Sequence, residues 1–168
     1  MDAKDQLNLN SLENLKMPPH SLETEESALG SMMLSKEAIT ASIEILKTED
    51  FYQDAHRKIY DAILNIYNRN EPADVITIAE ELKKTDSLEE VGGITYLADL
   101  SSNVTAVSNI RSYCKIIKEK GILRELINAS DKIISAAYSS DAKADLIIEL
   151  AEKSVFDITQ DSTKNGLV

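Results

Sequence analysis

Few residues of this chain have the types and spacing that catalysis requires. Ser112 and Lys115 fit the S-x-x-K spacing of a serine nucleophile with a lysine base. The companion S-D-N and K-T-G motifs are absent, and the pair falls inside a predicted helix. The sequence also contains no G-x-x-x-x-G-K-[ST] or G-x-G-x-x-G phosphate loop, no EF-hand loop and no H-E-x-x-H. We therefore predict no catalytic residue and no cofactor site in these 168 residues.

The residues that could bind a metal ion have simpler explanations. His56 lies on an apolar helical stripe and has no Glu three residues before it, so the Glu-x-x-His of di-iron bundles is missing. Glu23 and Glu25 fall in a predicted first helical turn, where carboxylates suit the helix dipole, and Glu26 follows directly. Cys114 is the single cysteine and is predicted to be an inert packed thiol. We predict no metal site.

The composition favours a helical protein without a membrane segment. The chain is 43% hydrophobic, which suffices for a core, and its five Gly and three Pro are too few for the turns of a β-sandwich or barrel. No run approaches the roughly 18 apolar residues of a membrane span. The N-terminus lacks the apolar region of a signal peptide. We therefore expect a cytoplasmic protein with no membrane contact.

The charge balance points away from nucleic acid as a direct ligand. Eighteen basic against 29 acidic side chains give a net charge of −11. Nonspecific binding to DNA or RNA depends on Lys and Arg side chains that neutralise phosphates. The chain is therefore not expected to hold DNA by itself.

Helical periodicity dominates residues 18–158. The clearest helix is predicted at 52–69, where apolar and polar side chains separate onto opposite faces at 100° per residue. Ser21 is a predicted N-cap, and either Asp74 or Thr77 is predicted to begin a short fourth helix. We predict an all-α fold with a compact helical head of about six helices at 18–107. The apolar stripe of the clearest helix comprises Tyr52, Ala55, His56, Ile59, Tyr60, Ile63, Ile66 and Tyr67.

Two long helices are predicted after the head, at about 109–138 and 142–158, with Asp141 as the N-cap of the second. The link between them is short, so they should fold back as an antiparallel helical hairpin, residues 108–158. The first helix carries a heptad series, which we interpret as its seam with the second helix. This series comprises Ile116, Lys120, Leu123, Ile127, Ser130, Ile134 and Ala137.

The hairpin has more apolar surface than one internal seam can bury. The run Ile110, Tyr113, Cys114, Ile117 and Gly121 is assigned to packing on the head. Gly121 costs about 1 kcal/mol in a helix interior. Three explanations are open: a close approach of another element, a bend in the helix, or a glycine that is tolerated without a structural role. Apolar residues left over should pair with a second copy, since two-fold pairing buries the same patch twice. The predicted oligomer or partner interface therefore comprises Leu126, Ile133, Ile147 and Val155.

The two ends differ from the rest of the chain. Residues 1–17 are mostly polar with scattered leucines and are predicted to form a flexible N-terminal arm. Residues 159–168 are rich in turn-forming residues and are interpreted as the start of a linker.

Four stretches, in order, resemble the N-terminal domain of bacterial replicative DNA helicases of the DnaB family. Residues 17–34 (MPPHSLETEESALGSMML) are similar to its opening, with Thr24 in place of the usual Ala. Residues 51–60 (FYQDAHRKIY) resemble its "FY…HR.I" helix, 72–77 (PADVIT) its "P.D..T" helix entry, and 91–97 (VGGITYL) its "GG..YL" segment. Four such motifs at natural spacing are far more specific than any one of them.

This resemblance implies a collar domain rather than an enzyme. In the family, N-terminal domains pair through their helical hairpins into a trimer of dimers above a hexameric motor ring. Primase docks on this collar, and helicase loaders can also contact it. The ATPase motor, with its ATP, Mg and most of the DNA contacts, lies beyond the linker. We therefore expect a non-catalytic part of an ATP-dependent helicase that functions in DNA replication.

Two alternatives agree with the composition. An independent helical adaptor unrelated to replication would also be acidic and free of catalytic motifs. An acidic enzyme with paired carboxylates would need buried acids of raised pKa in a cleft, whereas most acids here fall on predicted solvent faces.

Overall fold

Eight α-helices and two short 3-10 helices form the regular structure of residues 17–164. The computed structural model describes the backbone of these residues and the side chains of residues 17–162. No described residue is in a β-strand, so the predicted all-α class is confirmed. No described helix is both long and apolar enough to cross a membrane. The helices are α1 (Leu22–Leu34), α2 (Lys36–Ile45), α3 (Asp54–Asn68), α4 (Val75–Lys83), α5 (Leu88–Val91), α6 (Gly93–Ser102), α7 (Ile110–Ala137) and α8 (Ala144–Lys164), with 3-10 helices η1 (Thr48–Asp50) and η2 (Val107–Asn109).

Helix starts are set partly by the predicted caps. Asp74 accepts a hydrogen bond from the Thr77 amide at 2.9 Å, and the Thr77 hydroxyl accepts one from the Asp74 amide at 2.9 Å, which forms a capping box. Ser21 occupies the N-cap position of α1, but its hydroxyl bonds the Thr24 hydroxyl instead of the backbone. Asp141 does not cap α8, which begins three residues later; Asp141 accepts from the Ser139 hydroxyl within the turn.

The six helices α1–α6 form the predicted head, and α3 supplies the centre of its core. Ile59, Ile63 and Ile66 are fully buried, as the stripe predicts. Tyr60 packs against Phe51 with ring centroids 4.9 Å apart and donates from its hydroxyl to the Leu46 carbonyl at 3.0 Å. This bond satisfies the one polar atom that the Tyr60 ring brings into the core.

The first half of α7 lies on the head. Ile110, Cys114, Ile117 and Gly121 are buried, which confirms their assignment to this contact. At Gly121, an added Cβ would lie 2.8 Å from Asp50 Oδ1 and 3.2 Å from Asp50 Cα. The close approach of η1 therefore explains why a glycine stands in the middle of this helix.

The second half of α7 packs with α8 as a helical hairpin. Helix α8 runs to Lys164, so residues 159–164, predicted as the start of a linker, continue the helix. Of the predicted N-terminal arm, all but Met17 lies outside the described residues, as do residues 165–168.

Candidate interaction surface on the helical hairpin

Half-buried positions on α7 mark the side that faces α8. They follow heptad spacing and continue the line of Lys118, which contacts Asp161 of α8. On α8 the half-buried positions Ile147, Ala151, Ser154 and Ile158 show the same spacing. We define the hairpin seam by its α7 residues, which are Ile122, Glu125, Ala129, Ile133 and Ala136.

The predicted seam is wrong, because the heptad series that we assigned to it does not face α8. Leu123, Ile127 and Ile134 are 38%, 44% and 54% exposed and lie roughly 140° around α7 from the hairpin seam. The true seam looks less apolar because it contains Ala129, whose small side chain allows close packing. It also contains Glu125, whose carboxylate binds Lys47 at 2.9 Å.

The displaced series places four large apolar side chains on the outside of the hairpin. Ile116 is 40% exposed and precedes Leu123 by one heptad, just as Ile127 precedes Ile134. We call Ile116, Leu123, Ile127 and Ile134 the exposed stripe. Large apolar side chains repeated on one solvent face are typical of a protein interaction site.

The structure distributes the four predicted interface residues over different surfaces. Ile133 is half-buried on the hairpin seam, and Ile147 is half-buried on α8. Leu126 lies on α7 between the hairpin seam and the exposed stripe. Val155 is exposed on α8. These four residues do not form one patch, and their role in binding another molecule stays a prediction.

An ionic junction fixes the hairpin to the head. It comprises Lys47, Asp50, Lys118, Glu125 and Asp161. Lys118 is fully buried, and its Nζ donates to Asp50 Oδ2 at 3.0 Å and to Asp161 Oδ2 at 2.8 Å. Lys47 Nζ lies 3.1 Å from Asp161 Oδ2, so the head and both hairpin helices meet here. A buried lysine is tolerated because two carboxylates compensate its charge.

The ionic junction also explains the grouping of its three acids. Ligand oxygens of Asp50, Glu125 and Asp161 lie within 4.8 Å of one another, as in a metal site. The ammonium groups of Lys47 and Lys118 already bind these carboxylates, so the cluster is a structural ion network. Sequence analysis missed it. Its one signal is a lysine four residues after Cys114, on an otherwise apolar helix face.

Burial and hydrogen bonding act oppositely on the two acids that bind Lys118. Burial raises the pKa of Asp50, although the hydrogen bond from the Lys47 amide and the charge of Lys118 both act to lower it. Burial also raises the pKa of Asp161, but hydrogen bonds from Lys118 and Lys47 outweigh it and leave that pKa below its usual range. Asp161 therefore stays ionised at neutral pH and keeps the end of α8 attached.

His56 belongs to a buried structural network. Its Nδ1 donates to Glu25 Oε1 at 2.8 Å, and its Nε2 lies 2.6 Å from the Tyr96 hydroxyl oxygen. Glu25 also accepts the Tyr52 amide at 2.8 Å, so the buried carboxylate joins α1 to the start of α3. Glu23 lies exposed at the surface. Hydrogen bonds at both ring nitrogens explain how a histidine is accommodated on this apolar helix face.

The remaining chemical candidates are a buried thiol and an exposed Ser–Lys pair. Cys114 is fully buried with its Sγ 3.4 Å from the Ser42 hydroxyl, and burial raises its pKa to about 11, so the thiolate is rare at neutral pH. Ser112 and Lys115 are exposed on α7. The hairpin surface remains the strongest functional candidate.

Comparisons with known proteins identify the family. Residues 17–119 match the model of the DnaB-like helicase N-terminal domain. The chain is 40% identical over 152 residues to the replicative DNA helicase DnaC of Bacillus subtilis. The aligned region covers 90% of this chain and 34% of that relative. It is 36% identical over 145 residues to the replicative DNA helicase DnaB of Geobacillus stearothermophilus, and this alignment covers 86% of the chain and 32% of the relative. The chain thus spans about a third of the length of these relatives.

Solved structures agree with this assignment. The crystal structure of the N-terminal domain of DnaB helicase from Mycobacterium tuberculosis superposes with a TM-score of 0.78 at 39% identity, covering 84% of this chain and 99% of that one. A DnaB-like replicative helicase, described with its interactions with primase, superposes with a TM-score of 0.69 at 23% identity. This superposition covers 84% of the chain and 31% of the helicase, and it supports the fold. The chain belongs to the family of DnaB-like replicative helicase N-terminal domains.

Proposed function

We propose that this chain is the collar domain of a replicative DNA helicase and that it pairs with a second copy through the exposed stripe. In the hexamer such pairs would form a trimer of dimers, and the catalytic motor would belong to the rest of the parent protein. The observation that carries the proposal is the exposed stripe itself. Its heptad spacing on a long helix is the pattern of a helix–helix interface, yet α8 does not cover it.

The spacing of the exposed stripe favours an antiparallel pair. Ile116 and Leu123 precede Glu125 by nine and two residues, and Ile134 and Ile127 follow it by the same intervals. A two-fold axis near residue 125 would therefore place Ile116 against Ile134 of the second copy and Leu123 against Ile127. Each copy would bury the same four side chains, as two-fold symmetry requires.

Charges beside the exposed stripe complement each other in this register. Lys120 and Asp131 both flank the stripe on the side away from the hairpin seam, and neither forms an ion pair among the described residues. In the antiparallel register, Asp131 of the second copy would lie level with Lys120. Two symmetric ion pairs would then border the apolar contact and help to fix its register.

Sedimentation equilibrium tests the pairing. At protein concentrations up to about 100 μM, where a dimer with a Kd in the micromolar range forms, we expect the native chain to dimerise and Ile134→Asp to stay monomeric. Ile94→Asp is the matched control because Ile94 of α6 is 52% exposed, as Ile134 is 54%. A native chain that remains monomeric, or an Ile134→Asp variant that dimerises like the control, would refute the proposed interface.

We infer further that the paired collar docks primase and that a helicase loader can contact the same collar. The similar helicase described with its primase interactions supports the primase part. A net charge of −11 suits protein recognition better than phosphate binding, so DNA contacts are assigned mainly to the motor. Calorimetric titration with the primase of the same organism should give a Kd at least tenfold weaker for Ile134→Asp than for Ile94→Asp. Equal affinities would show that docking does not need the pair.

A further inference from the structure

Two of the four arginines form no ion pair with any carboxylate that the structure describes. Arg69 binds Glu81 at 2.7 Å, and Arg111 binds Glu44 at 3.0 Å. Arg57 and Arg124 form no ion pair within residues 17–162, although the chain has 29 acidic side chains. Both unpaired arginines line the same surface cavity.

Backbone carbonyls hold these two guanidinium groups in place. Arg57 donates from Nε to the Phe51 carbonyl at 2.7 Å. Arg124 donates to the Pro19 carbonyl at 2.7 Å and to the Asp50 carbonyl at 2.5 Å. Burial lowers the pKa of Arg124, and the positive charge of Arg57 acts in the same direction. Each guanidinium is therefore preorganised and still has N–H groups for an anion.

The cavity lies where α7 leaves the head. It has a volume of about 300 Å³, and its walls include Arg57, Arg124, Tyr52, Glu49 and Ile127. Ile127 also belongs to the exposed stripe. Any molecule that covers the stripe at Ile127 therefore reaches the mouth of the cavity.

The walls suit a carboxylate. The wall residue Glu125 already binds Lys47 Nζ at 2.9 Å, and Glu49, the other acidic wall residue, forms no ion pair with either arginine within residues 17–162. A stacked nucleobase is disfavoured because Tyr52 stacks on His20 at 4.1 Å and has the Arg124 guanidinium over its ring at 5.6 Å. Planar guanidinium groups bind carboxylates through paired hydrogen bonds.

We propose that Arg57 and Arg124 form a carboxylate-binding site that receives an acidic side chain of the second copy when two chains pair through the exposed stripe. The proposal rests on the proposed pairing. The shared wall at Ile127 makes the cavity continuous with that interface, and the acidic second copy supplies the required chemistry. The carboxylate site would then restrict which chains can pair and in which register, because an apolar stripe alone allows two helices to pair in several shifted registers.

The dimer Kd of Arg57→Gln tests the site. Loss of a hydrogen bond to a charged group typically weakens binding by about tenfold or more. We expect that loss for Arg57→Gln, together with a Kd that depends less steeply on salt between about 50 and 500 mM, where screening increases. Arg57→Lys, which keeps the charge but not the paired donors, should fall between Arg57→Gln and the native chain. Arg69→Gln is the matched control, because its partner Glu81 is on the head.

Thermal unfolding of each variant separates a loss of pairing from a loss of fold. A folded Arg57→Gln or Arg57→Lys variant that dimerises with the native Kd and the native salt dependence would overturn the carboxylate site while leaving the exposed stripe intact. A native chain that never dimerises would overturn both proposals together. If Arg57→Gln does not fold, the Kd of Arg57→Lys decides the question.

Discussion

Asp50 is the residue around which the contact between head and hairpin is organised. Its carboxylate binds Lys118 at 3.0 Å and accepts the Lys47 amide at 2.9 Å, while its backbone carbonyl accepts a hydrogen bond from Arg124. This crowding is possible because Gly121 has no side chain. The sequence leaves a close approach at Gly121 as one of three explanations. It does not identify Asp50, because the contact joins residues 71 positions apart and leaves no local pattern.

Gly121→Ala should destabilise the protein. Alanine would improve helix propensity by about 1 kcal/mol, but its Cβ would lie 2.8 Å from Asp50 Oδ1, and such overpacking typically costs about 1–3 kcal/mol. We expect a net loss in the free energy of unfolding, measured by urea denaturation. Ser135→Ala, at an exposed position of α7, is the control and should not destabilise. An equally stable Gly121→Ala variant would contradict the close approach of η1.

Ile63→Ala should cost about 2–5 kcal/mol in the free energy of unfolding, as for other large-to-Ala core truncations. Ile63 is fully buried in the centre of α3, where the sequence stripe also places it. Ile76→Ala is the control because Ile76 is exposed. If both variants melted at the native temperature, the orientation of α3 would be wrong.

At the scale of elements, periodicity predicts helices well but not their partners. The stripe of α3 identifies its buried face because one face of that helix is clearly apolar. Helix α7 instead has three faces that bury or present apolar residues: one toward the head, one toward α8 and one toward solvent. The most apolar heptad series is the exposed one, since Glu125 and Ala129 make the hairpin seam look polar. Sequence spacing alone cannot say which molecule covers which face.

Asp161→Asn should loosen the end of α8 without unfolding the head. The change leaves buried Lys118 with Asp50 as its one charged partner, and we expect faster amide hydrogen exchange over residues 158–164. Asp157→Asn, exposed one turn earlier on α8, is the matched control and should exchange as the native chain does. Unchanged protection in Asp161→Asn would show that the ionic junction does not hold this helix.

Acid should have the same effect as that substitution. The pKa of Asp161 is lowered in the folded protein from its ordinary 3.8, so its contribution to stability is fully present above that value. This contribution is lost as the pH falls through the lower folded-state pKa. The protection factors at residues 158–164, which are corrected for the intrinsic exchange rate at each pH, should therefore fall below about pH 3.8 in the native chain and change less in Asp161→Asn. Identical acid responses would contradict this role.

At the scale of the whole molecule, an acidic helical domain exposes an apolar stripe on its hairpin, while its candidate reactive groups are buried or neutralised. Its one cysteine and its core histidine are buried and engaged, and its buried lysine is neutralised by carboxylates. The order of four short motifs is enough to predict the family from the sequence. The exposed stripe and the arginine pair could not be predicted, because each depends on which residues the fold leaves without a partner.

The purified chain should neither bind nor hydrolyse ATP. It contains no phosphate-binding loop, and a ligand that binds the native state would raise the melting temperature. Millimolar Mg-ATP should therefore leave thermal unfolding unchanged and release no phosphate above background. Hydrolysis that persists through repeated purification would place catalysis in these 168 residues, against the collar assignment.

Disulfide trapping tests the proposed pairing most directly. In a Cys114→Ala background, Ile116→Cys and Ile134→Cys lie about 27 Å apart along α7, far beyond the roughly 5–6 Å between the Cα atoms of a disulfide. The antiparallel register predicts that each variant alone stays uncross-linked under mild oxidation and that an equimolar mixture forms the mixed dimer. Cross-linking of each variant with itself would indicate a parallel pair. No cross-link in any combination would contradict pairing through the exposed stripe.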